Sequence, residues 1–101
     1  MNVQRLLIAQ LITKLSPARV TIVAADLKPW ASVTFSGARH EITLLVEGER
    51  AHEMATRLQR TVGCDDFTIS RTLVADILVT NMNAAADGVR LDIEALTVVD
   101  D

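Results

Sequence analysis

His40, His52, Cys64, Asp65 and Asp66 are the residues with the chemistry to hold a soft or mixed-ligand metal. No CxxC, HxxxH or HExxH spacing links them. Asp65 and Asp66 follow Cys64 directly, and adjacent side chains rarely converge on one ion. The segment reads as a solvated turn with an Asp capping the next strand, and no metal is expected. Cys64 is the single cysteine, so no intramolecular disulfide can form. As a nucleophile it would need His40 or His52 as base. There is no GxSxG elbow and no glycine cluster for an oxyanion hole. Cys64 also sits just past a helix C-terminus, where the dipole disfavours a thiolate. A bland, partly buried thiol is the expectation. The glycines stand singly at 37, 48, 63 and 88, as turn punctuation rather than a phosphate cradle. No cofactor is expected.

A second group has more interest. Asp76 alternates with Ala75 and Ile77, and Arg90, Asp92 and Glu94 alternate with Val89, Leu91 and Ile93. If the two segments form a hairpin, Asp76 becomes a cross-strand neighbour of the other three. Paired carboxylates suit general acid–base work. A salt-bridged, wet face of an antiparallel sheet explains them as well and is the favoured reading. Trp30, after Lys28-Pro29, is either a binding anchor or a cap on the end of the core.

The elements that must position these residues follow from hydrophobic period. Residues 2–15 read as a helix with Val3, Leu7, Ile8, Leu11, Ile12 and Leu15 on its apolar half, ended by Ser16-Pro17. Strands are expected at 19–25, 31–36 and 39–47. Residues 26–29 would form a loop between the first two and Gly37-Ala38 a tight connection. Val33 and Phe35 should point inward, as should Ile42, Leu44 and Val46. Residues 49–62 form a second helix through Ala51, Met54, Ala55, Leu58 and Val62. Glu53 and Arg57 are placed for an i,i+4 pair, and Gly63 for a left-handed cap. A short strand at Phe67–Ile69, a strand at 72–80 with Leu73, Ala75, Ile77 and Val79 inward, a loop at 81–88 and a last strand at 89–99 complete the chain. A change of phase near Ala95 predicts either a bulge there or a strand end buried on both faces. The expected fold is α+β, in the order α-β-β-β-α-β-β-β. Its antiparallel sheet has five to six strands, with both helices packed on one face. The two halves share a helix-then-strands plan.

Composition narrows the function. The chain's 101 residues fit one domain, residues 1–101. A net charge of −3 with no Lys/Arg cluster argues against nucleic acid, which demands a basic patch. The N-terminal apolar stretch is broken by Gln10, Thr13 and Lys14 and lacks a basic leader and a cleavage site. No segment approaches a membrane span, so no membrane partner and a cytoplasmic location are expected. Hydrophobic residues reach 50%, with a mean hydropathy of +0.28. That leaves apolar surface for a partner. On the sheet face away from the helices, Val23, Leu45, Val74, Leu78 and Leu96 are expected to form an aliphatic stripe.

The order helix, three strands, helix, two strands resembles the small dimeric secretion chaperones, which close with a final helix that this chain lacks. The segment from Gly88 to Val99 is similar in character to short uncharacterised bacterial proteins. These readings converge on a binding or assembly module that forms a homodimer, or meets a protein partner, through its sheet. The alternative is a small-molecule-binding protein or minor enzyme using Asp76, Arg90, Asp92 and Glu94.

Overall fold

In the computed structural model, which describes residues 2–99, each helix is followed by one long hairpin. Helix α1 (Val3–Leu15) leads to β1 (Arg19–Ala31) and β2 (Ser36–Glu47). Helix α2 (Ala51–Thr61), extended by a 3-10 turn at Val62–Cys64, leads to β3 (Thr72–Ala85) and β4 (Gly88–Val99). The strands form one antiparallel sheet in the order β1-β2-β4-β3. The inner strands of the two hairpins therefore pair with each other, from Ser36 opposite Val99 to Glu47 opposite Gly88. The architecture is α+β with two helices, as the sequence indicates. The sheet has four strands rather than five or six, in the order α-β-β-α-β-β.

Each difference has a local cause. Residues 26–29 continue β1 because it is an edge strand, where charge and a proline are tolerated. The turn falls instead at 32–35. There the Ser32 N–H donates to Phe35 O (2.7 Å), and the Phe35 N–H to Ser32 Oγ (3.0 Å). Val33 and Phe35 consequently sit on the hairpin tip in solvent, at 106% and 56% exposure, not in the core. The asparagine-rich run at 81–85 extends β3, because pairing with β4 and packing of Met82 against the core outweigh weak strand propensity. Bulges lie in β3, at Ala75 and Thr80, and not at Ala95. They place Val74, Ile77, Val79 and Met82 against the core and leave Leu73 and Ala75 exposed. Phe67–Ile69 contributes only an isolated bridge between Ile69 and Thr72. Glu53 pairs with Arg50 (2.9 Å), its first-turn neighbour. Gly63 lies in the 3-10 turn, and the glycine with a left-handed φ is Gly48, at 118°.

Helix α1 starts at Asn2, whose Oδ1 accepts from the Gln4 and Arg5 N–H groups (2.9 and 3.4 Å). It buries Leu7, Ile8, Leu11 and Leu15; α2 buries Ala51, Met54, Ala55 and Leu58. Both pack on the sheet face formed by Ile42, Leu44, Val46, Val89, Leu91, Ile93, Ala95 and Ile77. The side-chain amide of Gln10 ties α1 to the strand-like segment before β3. It donates to Thr68 O (2.7 Å) and accepts from Thr68 N (3.1 Å). No helix among the described residues is long and apolar enough to cross a membrane.

A glycine stands at each end of the central pair of strands. A Cβ added to Gly37 would lie 1.9 Å from Thr97 O, and one added to Gly88 would lie 2.0 Å from Val46 O. Gly37→Ala must push β2 from β4 and is expected to cost about 1–3 kcal/mol, or more, in urea unfolding. Gly63→Ala meets its nearest atom at an ordinary 3.6 Å. It should be neutral or stabilise by up to about 1 kcal/mol. Equal effects of the two substitutions would contradict this packing.

Candidate functional site

The polar group Asp76, Arg90, Asp92 and Glu94 lies on the sheet face away from the helices, where the strand register decides who meets whom. Asp92 stands opposite Thr43 on one side and Asn81 on the other. Its Oδ1 accepts from Thr43 Oγ1 (2.8 Å) and faces Arg90 Nε at 3.8 Å. Asp76 stands opposite Leu96, well down β4 from Asp92. It shares a shallow depression of about 170 Å³ with Arg39, Leu78, Glu94 and Leu96. The group is thus split into Arg90–Asp92–Thr43 and Asp76–Glu94. Among the described residues, no three His, Cys, Asp or Glu side chains converge to hold a metal ion.

The aliphatic residues of that face are dispersed as well. Leu45 pairs with Arg90, while Leu96 pairs with Arg39, toward the other end of the sheet. Between them runs a row of carboxylates, Asp26, Glu41 and Glu94, directly opposite one another across three strands. Leu78 and Leu96 are neighbours. Val74 packs on the core side, and Val23 is the bulged residue of β1. The bulges in the two outer strands rotate these residues out of the expected line.

Cys64 is exposed at the end of its turn, His52 is exposed on α2, and His40 is buried. Among the described residues, neither imidazole is hydrogen-bonded to the thiol. Trp30 lies across the strand from Gly37, half-buried, with its Nε1 enclosed and without an acceptor among the described residues. A polar cleft of about 350 Å³ separates the C-terminal ends of the helices, lined by Thr13, Lys14, Arg57, Thr61 and Asp65. Lys14 Nζ there faces Asp65 at 3.8 Å and the Phe67 ring at 5.0 Å.

Two features emerge that sequence reasoning passed over. The first is a buried polar chain. His40 is 0% exposed and Thr97 2%. Gln4 Nε2 on α1 donates to Asp26 O (2.9 Å) and lies 3.3 Å from His40 Nδ1. Nδ1 must then accept, so the imidazole proton sits on Nε2 and is donated to Thr97 Oγ1 (2.9 Å). The Thr97 hydroxyl passes its own proton to Ala38 O (3.3 Å). Each member has a single consistent role, and burial pushes the His40 pKa below its ordinary value. The strand period was the available signal: His40 is in phase with Ile42 and Leu44, and Thr97 with Ile93 and Ala95.

The second feature is the side of the sheet that the helices leave bare. The helices cover the inner face of β1 only in part, at Val20. Ile22 is 49% exposed and Leu27 39%. Beside them Ile8, Ala9 and Ile12 of α1 face Ile22 and Ala25 across an apolar groove of about 350 Å³. Of the large apolar side chains that stand exposed, Ile22, Val23, Leu27, Val33 and Phe35 all belong to β1 and its turn, and Leu73 and Leu78 to β3. The open backbone edge of β1 is nevertheless blunted against strand addition. The Ser32–Phe35 bond sets the ladder phase, turning the nitrogen atoms of Leu27 and Pro29 to the open side. Pro29 has no N–H, and the Leu27 N–H is taken by Asp26 Oδ1 (3.0 Å). The bulge at Val23 disrupts the rest, and two bulges do the same for β3.

Thr97→Val would leave the buried His40 N–H without an acceptor, at a cost of about 1–3 kcal/mol in denaturant unfolding. Neutral His40 also links stability to pH. Its native pKa is lowered, so its contribution is complete above the ordinary value of 6.5. It is lost as pH falls from there through the lower native value. That component of the urea-unfolding profile should be absent from His40→Gln. The chain matches no protein-family model, no curated protein and no solved structure, so its own geometry is what bears on its function.

Proposed function

We propose that the chain is a binding and assembly module that forms a homodimer through the uncovered side-chain face of β1 beside α1. The observation that carries this reading is the concentration of exposed apolar side chains between Ile22 and Phe35, next to an apolar groove. Both strand edges are blunted, which favours contact by side chains over strand addition. A second copy fits the surface because one hairpin carries both complementary parts. Its tip projects Val33 and Phe35, and its inner face offers Ile22 and Ala25 as the floor of the groove. The two parts lie roughly 25 Å apart along the hairpin. A single two-fold rotation can therefore seat each tip in the other copy's groove. The split polar group on the opposite face, with Asp92 already bound to Thr43, lends less support to catalysis.

Sedimentation velocity at high micromolar concentration should show a dimer. Ile22→Asp or Leu27→Asp should weaken it by at least about tenfold, corresponding to 1.4 kcal/mol or more. Leu45→Asp, on the opposite face, should leave it unchanged. A monomeric native chain, or equal sensitivity at Leu45, would overturn the proposal.

A further inference from the structure

We propose that protonation of His40 releases the first turn of α1 from β1, so that acid opens the seam beside the apolar groove. The device is the bifurcated Gln4 amide. Its one nitrogen serves two acceptors, Asp26 O on β1 and His40 Nδ1 on β2 (2.9 and 3.3 Å). A proton added to Nδ1 sets an N–H against that N–H. Rotating the Gln4 amide would offer Oε1 to the imidazolium, but it would also turn an acceptor toward the Asp26 carbonyl. The single amide atom at that position cannot both donate to the Asp26 carbonyl and accept from a charged His40. The other ring nitrogen offers no relief, because it already donates to Thr97 Oγ1 (2.9 Å).

Among the described residues, none around the ring compensates the charge. At its register, β1 contributes Leu27, β4 Ala95 and β3 Ile77. The polar groups that reach it are Gln4 of α1 and Thr97 of β4. The carboxylates of Asp26, Glu41, Glu94 and Asp76 and the guanidinium of Arg39 belong to the opposite face of the sheet. Arg5 on α1 is exposed, and its charge would oppose a second cation. The imidazolium is thus disfavoured while the clamp is closed and is accommodated by opening it. The later turns of α1 are held by Leu7, Leu11 and Leu15, all fully buried. The movement is therefore confined to the first turn. Gln4, Arg5 and Ile8 line the groove, so its wall moves with the clamp.

Amide hydrogen exchange by NMR, expressed as protection factors, tests this between about pH 7.5 and about pH 4.5, a range spanning histidine titration. The His40 ring signals are followed in the same samples. Protection at Leu6–Ala9 should fall at least about tenfold as the ring titrates, while β2 and β4 keep theirs. Gln4→Ala should be open at both ends of the range, and His40→Gln should show no pH dependence. Three results would each overturn the proposal. These are unchanged protection of α1 while His40 titrates, no titration of His40 with the fold intact, or loss of β2 and β4 protection in step with α1. The measurement is internal to one protomer, so it succeeds or fails independently of the dimer.

Discussion

The antiparallel pairing of β2 with β4 is the contact on which the rest of the molecule rests. Each hairpin alone has one apolar face and too few strands to bury it. Joined along β2 and β4, they make a sheet wide enough for two helices to cover its middle. The closeness of the join dictates residue type at its ends. Gly37 and Gly88 each stand where a side chain would strike the neighbouring strand's carbonyl oxygen. Between them, the inward positions are filled by aliphatic side chains from Ile42 to Val46 and from Val89 to Ala95. At the Gly37 end the row changes to Ala38, His40 and Thr97, and there polar groups are sealed in by Gln4 from α1. The core is thus aliphatic along most of its length and hydrogen-bonded at one end.

Much of this was legible in residue period. The spacing of Leu7, Leu11 and Leu15, and of Met54, Ala55 and Leu58, located both helices and their buried faces. Alternation in 39–47 and 89–99 located the two inner strands. The outer strands were harder, because an edge strand is constrained on one side only. Asp26, Lys28 and Pro29 carry loop chemistry, yet they serve in β1, where a missing N–H on the open side costs nothing. Asn81 and Asn83 likewise carry loop chemistry, yet they serve in β3. The bulges at Val23, Ala75 and Thr80 reset which residues share a face, so the aliphatic stripe drawn from strict alternation does not exist as a line. Bulge positions depend on pairing across strands, which residue order alone does not contain.

The two faces of the sheet have different physics. One is apolar and covered except over much of β1. The other is a charged mosaic in which Asp26, Glu41 and Glu94 sit opposite one another, beside a row holding Lys28 and Arg39. Carboxylates directly opposed across strands repel, and that repulsion keeps the outer face hydrated. The longest run of exposed apolar side chains, from Ile22 to Phe35, lies on β1 and its turn beside α1. The edges discourage indiscriminate strand pairing there through Pro29, the Asp26 cap on Leu27 and the bulges.

The β2–β4 join also has a kinetic meaning. Its partners lie roughly 40 to 60 residues apart in the chain, whereas each hairpin closes within its own segment. The hairpins can form early, but the core exists only after they dock. Until then β2 and β4 each present an unblunted edge beside a largely aliphatic face, and no bulge interrupts their register with each other. The devices that guard the finished sheet lie on β1 and β3 and give the undocked halves no cover. Newly made chain is thus most prone to mispair with other copies before the two halves have found each other.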